Sequence, residues 1–385
     1  MTFSSERAYT GQAGQPVGLP FLLVCALLLL CVPSGIWGAP VRGLWVVRHD
    51  ISTPDRARQV VETAARAGLT TLFVQVRGRG DAYYRSTLVP IAEDVEEGFD
   101  PLKTVLALAQ NRGMTVHVWF NVYLTWHQDR RPESDSHVLA THPEWFATSG
   151  DGIDMGASDL TTDLRSRGVE GRYLSPSSRG AQRHLLAVLN ELLRSYRVDG
   201  IHLDYVRYPN EHYDFSPAAV GSFTRAYRSD PRASDDASRR AWMAWRSDQV
   251  TQFVQKVNRL CQQIRPEIRV SAAVKPDMLR AYQRYGQDWV RWLNRRYVDF
   301  VVPMFYVGSL DKLTEQMEAV RRFALKGYVL AGIGAWNQGI TDTLGQAERA
   351  IATGLDGYVI LSYRTLIDQP ELVSALADRF GRGQM

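Results

Sequence analysis

The chain of 385 residues is poor in cysteine, with three in all. Cys25 and Cys31 lie in an apolar N-terminal stretch, so the remainder keeps only Cys261. One thiol forms no internal disulfide, and the absence of a Cys cluster leaves no zinc-type site. Cys261 sits among Val250, Phe253, Val254, Val257, Leu260 and Ile264, apolar residues at helical spacing, which predicts a buried and unreactive thiol. No Gly-x-Gly-x-x-Gly follows an apolar run, so a dinucleotide fold has no support. Charge of one sign is lacking too: 45 Lys and Arg stand against 41 Asp and Glu, for a net +4. With no dense basic face interleaved with aromatics, nucleic acid is excluded as a partner. The segment 225–246 mixes Asp with Arg and reads as a solvated helix or loop.

Long apolar runs are also missing, with one exception at the start. Leu19-Pro-Phe-Leu-Leu-Val-Cys-Ala-Leu-Leu-Leu-Leu-Cys-Val32 is uncharged, and the small residues Ser34, Gly35, Gly38 and Ala39 follow it. A spanning helix needs ~20 apolar residues, so this shorter run reads as a secretory signal over 1–38, with an uncleaved membrane anchor as the alternative. Bulky Val24 and Leu30 precede the two cysteines where a lipoprotein signal needs small residues. The expectation is an exported protein, periplasmic or extracellular, touching a membrane only through this leader.

From residue 39 on, short β-branched runs alternate with amphipathic stretches. The expected strands are 43–48, 70–77, 115–121, 200–205, 268–275, 299–306, 328–334 and 357–363. Thr53-Pro54-Asp55 opens a helix that Gly68 closes, and Asp100-Pro101 opens one that stops at Gly113. Further helices are expected near 179–196, 241–264, 288–295, 311–325 and 343–353. Eight strand-then-helix units fit one closed (β/α)8 TIM barrel over 39–385 better than an open sheet. Two long connections, 122–178 and 206–240, follow the third and fourth strands. Both would therefore lie at the barrel's C-terminal face, where barrel enzymes build their sites. Their aromatics (Trp126, Trp145, Phe146, Tyr173, Tyr213, Phe215) suggest a long cleft.

Alternation along strands predicts what faces the barrel mouth. Asp204 ends the fourth strand with His202 one layer below, and a carboxylate in that position reads as catalytic. The third strand would aim His117, Trp119 and Asn121 inward, and the second Phe73, Gln75 and Arg77, with Asp81 and Tyr84 in the loop beyond. Lys275 and Asp277 end the fifth strand, Tyr306 the sixth and Trp336 the seventh. Together with Tyr205 and Arg207, these residues offer aromatic faces for sugar rings and planar polar groups for hydroxyls. The expected substrate is therefore a polysaccharide.

At these residues the chain resembles the glycosyl-hydrolase-like family 10, envelope proteins distinct from the true family 10 xylanases. The matching segments are Arg42-Gly-Leu-Trp-Val-Val47, Gln75-Val-Arg77, Gly80-Asp-Ala-Tyr-Tyr-Arg-Ser86, Val118-Trp-Phe-Asn121 and His142-Pro-Glu-Trp145. They continue through Val198-Asp-Gly-Ile-His-Leu-Asp-Tyr-Val-Arg-Tyr-Pro209, Val302-Pro-Met-Phe-Tyr306 and Gly357-Tyr-Val-Ile-Leu-Ser-Tyr363. The resemblance implies a barrel, export and glycoside hydrolysis, with some members linked to peptidoglycan glycan strands. Where many relatives carry two consecutive acids at the end of the fourth strand, this chain has Asp204-Tyr205.

Glycoside hydrolysis ordinarily needs two carboxyl groups. Asp204 is expected as nucleophile or base, kept ionised by Arg207 or Arg77. Its acid partner is expected to be desolvated. Asp277 ranks first, with a helix-starting Asp as its structural alternative, followed by Glu211, Asp81 and Asp311. No cofactor is expected. Two other readings stay open: a non-catalytic carbohydrate-binding barrel, and a metal-dependent hydrolase or deacetylase using His117, His202 and Asp204, for which satisfied core histidines are the structural alternative.

Overall fold

A computed structural model describes residues 39–127, 130–324 and 327–381; the expected leader lies outside these. From Pro40 on, the chain closes a barrel of eight parallel strands. They are β1 (Val41–Val46), β2 (Thr71–Arg77), β3 (Thr115–Asn121), β4 (Gly200–Asp204), β5 (Arg269–Val274) and β6 (Phe300–Phe305). The seventh, β7, is interrupted at Leu330: Tyr328–Val329 pairs with β6, and Ala331–Gly334 pairs with both β6 and β8. The last, β8 (Gly357–Leu361), closes on β1 with Val41 opposite Gly357.

The strands are buried almost throughout, as helices on the outside require. Two such helices begin where the sequence says. Thr53 caps Pro54–Arg66 through the Arg56 N–H, and Asp100 caps Pro101–Gln110 through the Lys103 N–H. Arg179–Ser195, Asp236–Ile264, Trp289–Asn294, Leu310–Phe323 and Ile340–Ala352 continue the ring. Cys261 is buried on the long helix, and burial pushes its thiol up to about 12, so it is unreactive as expected.

Further helices lie beyond the expected ranges, one of them the helix that a helix-starting Asp277 would open. Tyr363–Asp368 and Glu371–Phe380 follow β8, the latter laying Leu372, Val373, Leu376 and Phe380 onto the core. Met278–Tyr285 follows β5. Pro217–Tyr227 lies in the connection after β4, where Phe223 packs with Trp242 and Trp245 in a small separate apolar cluster. The mixed-charge segment 225–246 therefore carries the start of the long helix and buries those two tryptophans, rather than being solvated throughout.

Inside the barrel, inward side chains stack in layers. Phe73, His117, His202 and Phe300 form the aromatic floor, with Phe73 and His202 centroids 4.8 Å apart and His117 and Phe300 5.4 Å apart. Gly200 opens β4 without a side chain because a Cβ there would fall 2.2 Å from the His117 ring. The next layer up is where the polar side chains begin.

Candidate active site

Above the floor, a cavity of about 210 Å³ opens at the C-terminal ends of the strands. Its lining includes Trp45 of β1, Trp119 of β3, Asp204 and Tyr205 at the end of β4, Arg207, Ala273 and Lys275 of the β5 end, Tyr306, and Glu170. The strand ends supply most of this set, in keeping with alternation: Ala273 and Lys275 share one phase, as do Trp119 and Asn121.

Asp204 is only 9% exposed. Its Oδ1 accepts the Tyr205 N–H at 2.7 Å, and its Oδ2 accepts the Trp119 indole N–H at 3.1 Å. Burial dominates even so, and raises its carboxyl to about 6 against the opposing pull of that N–H, Arg207, Trp119 and Lys275. The strand stops here because Tyr205 takes a left-handed φ of 49°, which turns the chain across the mouth.

A polar chain runs sideways from Asp204. The Trp119 N–H is shared with Asn121 Oδ1 (2.9 Å), which also accepts from Gln75 Nε2 (3.3 Å), while Gln75 Oε1 accepts from Arg48 (3.0 Å). Asn121 Nδ2 donates to the Gly78 carbonyl at 2.8 Å. Gln75 and Asn121 are thus buried supports that orient Trp119, rather than lining the cavity.

Glu170 is the acid that sequence reasoning missed. It lies in the long connection after β3, far along the chain from any barrel strand. A short antiparallel ribbon, Leu124–Trp126 with Arg172–Tyr173, carries it back to the mouth. Gly171 permits the approach, since a Cβ there would fall 2.3 Å from the Trp126 carbonyl oxygen. The Glu170 side chain is 42% exposed and ion-paired to Arg207, Nη2 to Oε1 at 2.7 Å; Oε2 accepts the Tyr173 hydroxyl at 2.8 Å. Burial pushes its carboxyl up, but Arg207 and Tyr173 outweigh this and hold it below the usual glutamate value. Nothing in the local sequence distinguishes Glu170 from other loop acids; only the returning ribbon does.

This revises the expected pairing of Asp204 with an arginine. Arg207 is buried among the rings of Tyr205 (4.9 Å), Tyr285 (5.1 Å) and Tyr173 (5.8 Å), and its ion pair is with Glu170. Arg77 is turned away altogether. A bulge on β2 sets Gln75 opposite Trp119 but Arg77 opposite Phe120, so the strand's phase flips. Arg77 is buried with its guanidinium 5.0 Å over the Phe120 ring, and it donates to the Asn121 and Val122 carbonyls.

The expected acid partners lie elsewhere. Asp277 is exposed and caps the helix Met278–Tyr285 through the Arg280 N–H at 2.9 Å, the alternative allowed from sequence. Glu211 is paired to Arg284 at 2.9 Å, and Asp311 sits exposed in the first turn of a helix. Asp81 lines a separate cavity with Arg48, His49 and Asp94. Tyr84 is buried edge-on against Tyr196, away from the mouth. Trp336 is 51% exposed and meets the Tyr306 ring edge at 4.8 Å, extending the cavity wall outward. The loop aromatics Phe146, Tyr173 and Tyr213 are buried and hold their loops together instead of lining a cleft.

His202 does not reach the cavity. Its Nε2 accepts the Trp45 indole N–H at 3.1 Å, so its Nδ1 carries the proton and donates to Ser271 Oγ at 2.9 Å. Both ring nitrogens are engaged in the barrel interior, and burial holds the ring neutral. His117 is buried beside it, its pKa lowered by burial to about 3. Among the described residues no cluster of His, Cys, Asp and Glu has the arrangement of a metal site.

Residues 40–327 match the family described as Glycosyl hydrolase-like 10. Among curated relatives, the glycosyl hydrolase DigH of Escherichia coli K12 is 27% identical over 314 residues, covering 71% of this chain and 65% of its own length. The glycosyl hydrolase YngK of Bacillus subtilis is 22% identical over 300 residues, covering 70% of this chain and 53% of its own. The chain thus spans less than two thirds of the length of these relatives. In fold, it is similar to the PgaB glycoside hydrolase domain of Bordetella bronchiseptica, with a TM-score of 0.69 at 15% identity over 90% of this chain and 100% of that one. An α-L-fucosidase of Paenibacillus thiaminolyticus gives 0.61 at 14% identity over 88% of this chain and 49% of that one.

Proposed function

The chain belongs to the Glycosyl hydrolase-like 10 family, and on that premise we propose that it is an exported hydrolase of O-glycosidic bonds in an envelope or extracellular polysaccharide. One observation carries this reading: a desolvated carboxyl and an ion-paired carboxylate line the same aromatic cavity. Hydrolysis needs that division, one group holding a proton for the departing oxygen and one staying ionised. The roles run opposite to the expectation from sequence. Asp204 is the acid, because burial raises it and, among the described residues, no arginine is hydrogen-bonded to it. Glu170 is the nucleophile or base, because Arg207 and Tyr173 keep it charged.

In the reaction, Asp204 delivers its proton to the glycosidic oxygen as the bond to the anomeric carbon breaks. Glu170 either attacks that carbon or takes a proton from the water that does. If Glu170 attacks, water deprotonated by the Asp204 carboxylate then breaks the glycosyl–Glu170 ester, its hydroxyl ending on the anomeric carbon and its proton on Asp204. If Glu170 is the base, it keeps the proton of the attacking water, and exchange with solvent resets both carboxyls. Trp119 and the Tyr205 N–H hold the Asp204 carboxyl in place, while Trp45, Tyr306 and Trp336 offer faces to sugar rings. The apolar run before residue 33 supports export, and the relatives' names support hydrolysis of a glycan.

The test is incubation with denuded peptidoglycan, chitin-like polymers and plant or algal polysaccharides, with products read by mass spectrometry. Wild type is expected to release oligosaccharides from one class, and Asp204→Asn to lose at least ~10²-fold of turnover. Binding without any product would instead favour a carbohydrate-binding barrel.

A further inference from the structure

We infer that the groove on the insertion after β4 is a docking surface for a partner protein, and that it takes an acidic peptide segment with an apolar anchor. The groove shares no lining residue with the barrel mouth, so this goes beyond the hydrolase reading and does not rest on it.

The insertion is built apart from the barrel core. Helix Pro217–Tyr227 and the first turns of Asp236–Ile264 pack Ala219, Phe223, Trp242 and Trp245 into a small core of their own, with Phe215 against it. Beside that core lies an open groove of about 710 Å³, walled in part by Phe215, Trp242 and Met243. Arg246 also lines it and is only 1% exposed. Its guanidinium lies 4.3 Å from the Tyr208 ring centroid, and its Nη2 donates to the Asn210 carbonyl at 2.7 Å. Arg232 and Arg240 are exposed members of the lining, with Arg232 over the Phe215 ring at 5.4 Å.

Segment 225–246 mixes charge along the chain, yet its acids are all used internally. Asp230 accepts the Arg232 N–H, Asp235 caps the long helix through the Ser238 N–H, and Asp236 pairs with Arg239. Glu211, the other acid of the lining, pairs with Arg284 at 2.9 Å. Among the described residues, Arg232, Arg240 and Arg246 make no ion pair, so three positive charges are left around an apolar wall. Arginine, aromatic and methionine side chains without a lysine are the make-up of the centre of a protein interface. Met243 can adapt its shape to what packs on it. Carboxylates flanking an apolar side chain complement this surface, because arginine pairs bidentately with carboxylate and a buried guanidinium is little screened. An anionic polysaccharide would meet the arginines, but it presents hydroxyls rather than an aliphatic or aromatic side chain to Met243 and Phe215.

The experiment selects random dodecapeptides displayed on phage against the immobilised whole chain, then measures the enriched peptides by fluorescence polarisation. Enriched peptides are expected to carry several Asp or Glu beside an aromatic or large aliphatic residue. Arg232→Glu combined with Arg240→Glu, both at exposed positions, should weaken them at least ~10-fold at an unchanged melting temperature, and added salt should weaken wild-type binding in the same direction. Met243→Asp, in the apolar wall, should weaken them independently. The assignment is overturned if no acidic pattern emerges, if affinity survives these substitutions, or if dextran sulfate binds through the same arginines and the peptides do not.

Discussion

Arg207 donates to Glu170 Oε1 at 2.7 Å, and this one contact divides the labour between the two acids of the mouth. The guanidinium is buried among three tyrosine rings, so its charge is little screened and falls on the carboxylate it touches. Asp204, held by an indole and a backbone N–H, gets no such partner and is governed by burial.

If Asp204 is the acid, its loss should matter least when the leaving group needs no proton. Asp204→Asn is expected to lose ~10²–10⁴-fold on the natural glycan but far less on a dinitrophenyl glycoside of the same sugar. Glu170→Gln should be impaired on both substrates. Measured kcat/KM on the two substrates decides it, and equal losses for Asp204→Asn on both would reject the assignment.

The pH profile should be a bell on the acid side of neutrality. Activity is expected to rise as Glu170 ionises, below the ordinary glutamate value of 4.5, and to fall as Asp204 loses its proton at about 6. Arg207→Met removes the charge that holds Glu170 down, so the acidic limb should move up by ~1–3 pH units and narrow the bell. An acidic limb that stays put in Arg207→Met would show that Glu170 is not the group titrating there.

Asp204 should also destabilise the fold at neutral pH. Its proton is held more tightly in the folded state (about 6) than in the unfolded chain (near 3.8), so unfolding releases protons and stability falls as pH rises through that window. The displacement corresponds to ~3 kcal/mol at most. Asp204→Asn is therefore expected to melt higher than wild type at pH 7.5 and to lose that advantage at pH 3.5, as read by calorimetry.

His202→Leu tests whether that histidine is a support or a ligand. Removing it orphans the Trp45 N–H inside the barrel, at a cost of ~1–3 kcal/mol, while the Ser271 hydroxyl keeps its bond to the Ile201 carbonyl at 3.2 Å. Denaturant unfolding should report that loss. Added divalent metal or chelator should change neither the activity nor the stability of wild type.

The sequence by itself determined the barrel. Eight β-branched runs, each followed by an amphipathic stretch and many with a capping Asp, Ser or Thr, leave few other ways to bury both faces of parallel strands. It also determined that Asp204, Trp119, Lys275 and Tyr306 come to one end, because inward and outward residues alternate along a strand. Alternation fails where a strand is irregular, which is why the β2 bulge carried Arg77 to the wrong side of the expectation. It is silent about loops. Asp277 stands next to a strand end yet serves a helix terminus, whereas Glu170 stands far from one and is returned by a two-stranded ribbon. Which acid is protonated was decided by tertiary structure alone, because burial and the position of one arginine set that balance, and neither is written in the spacing of residues along the chain.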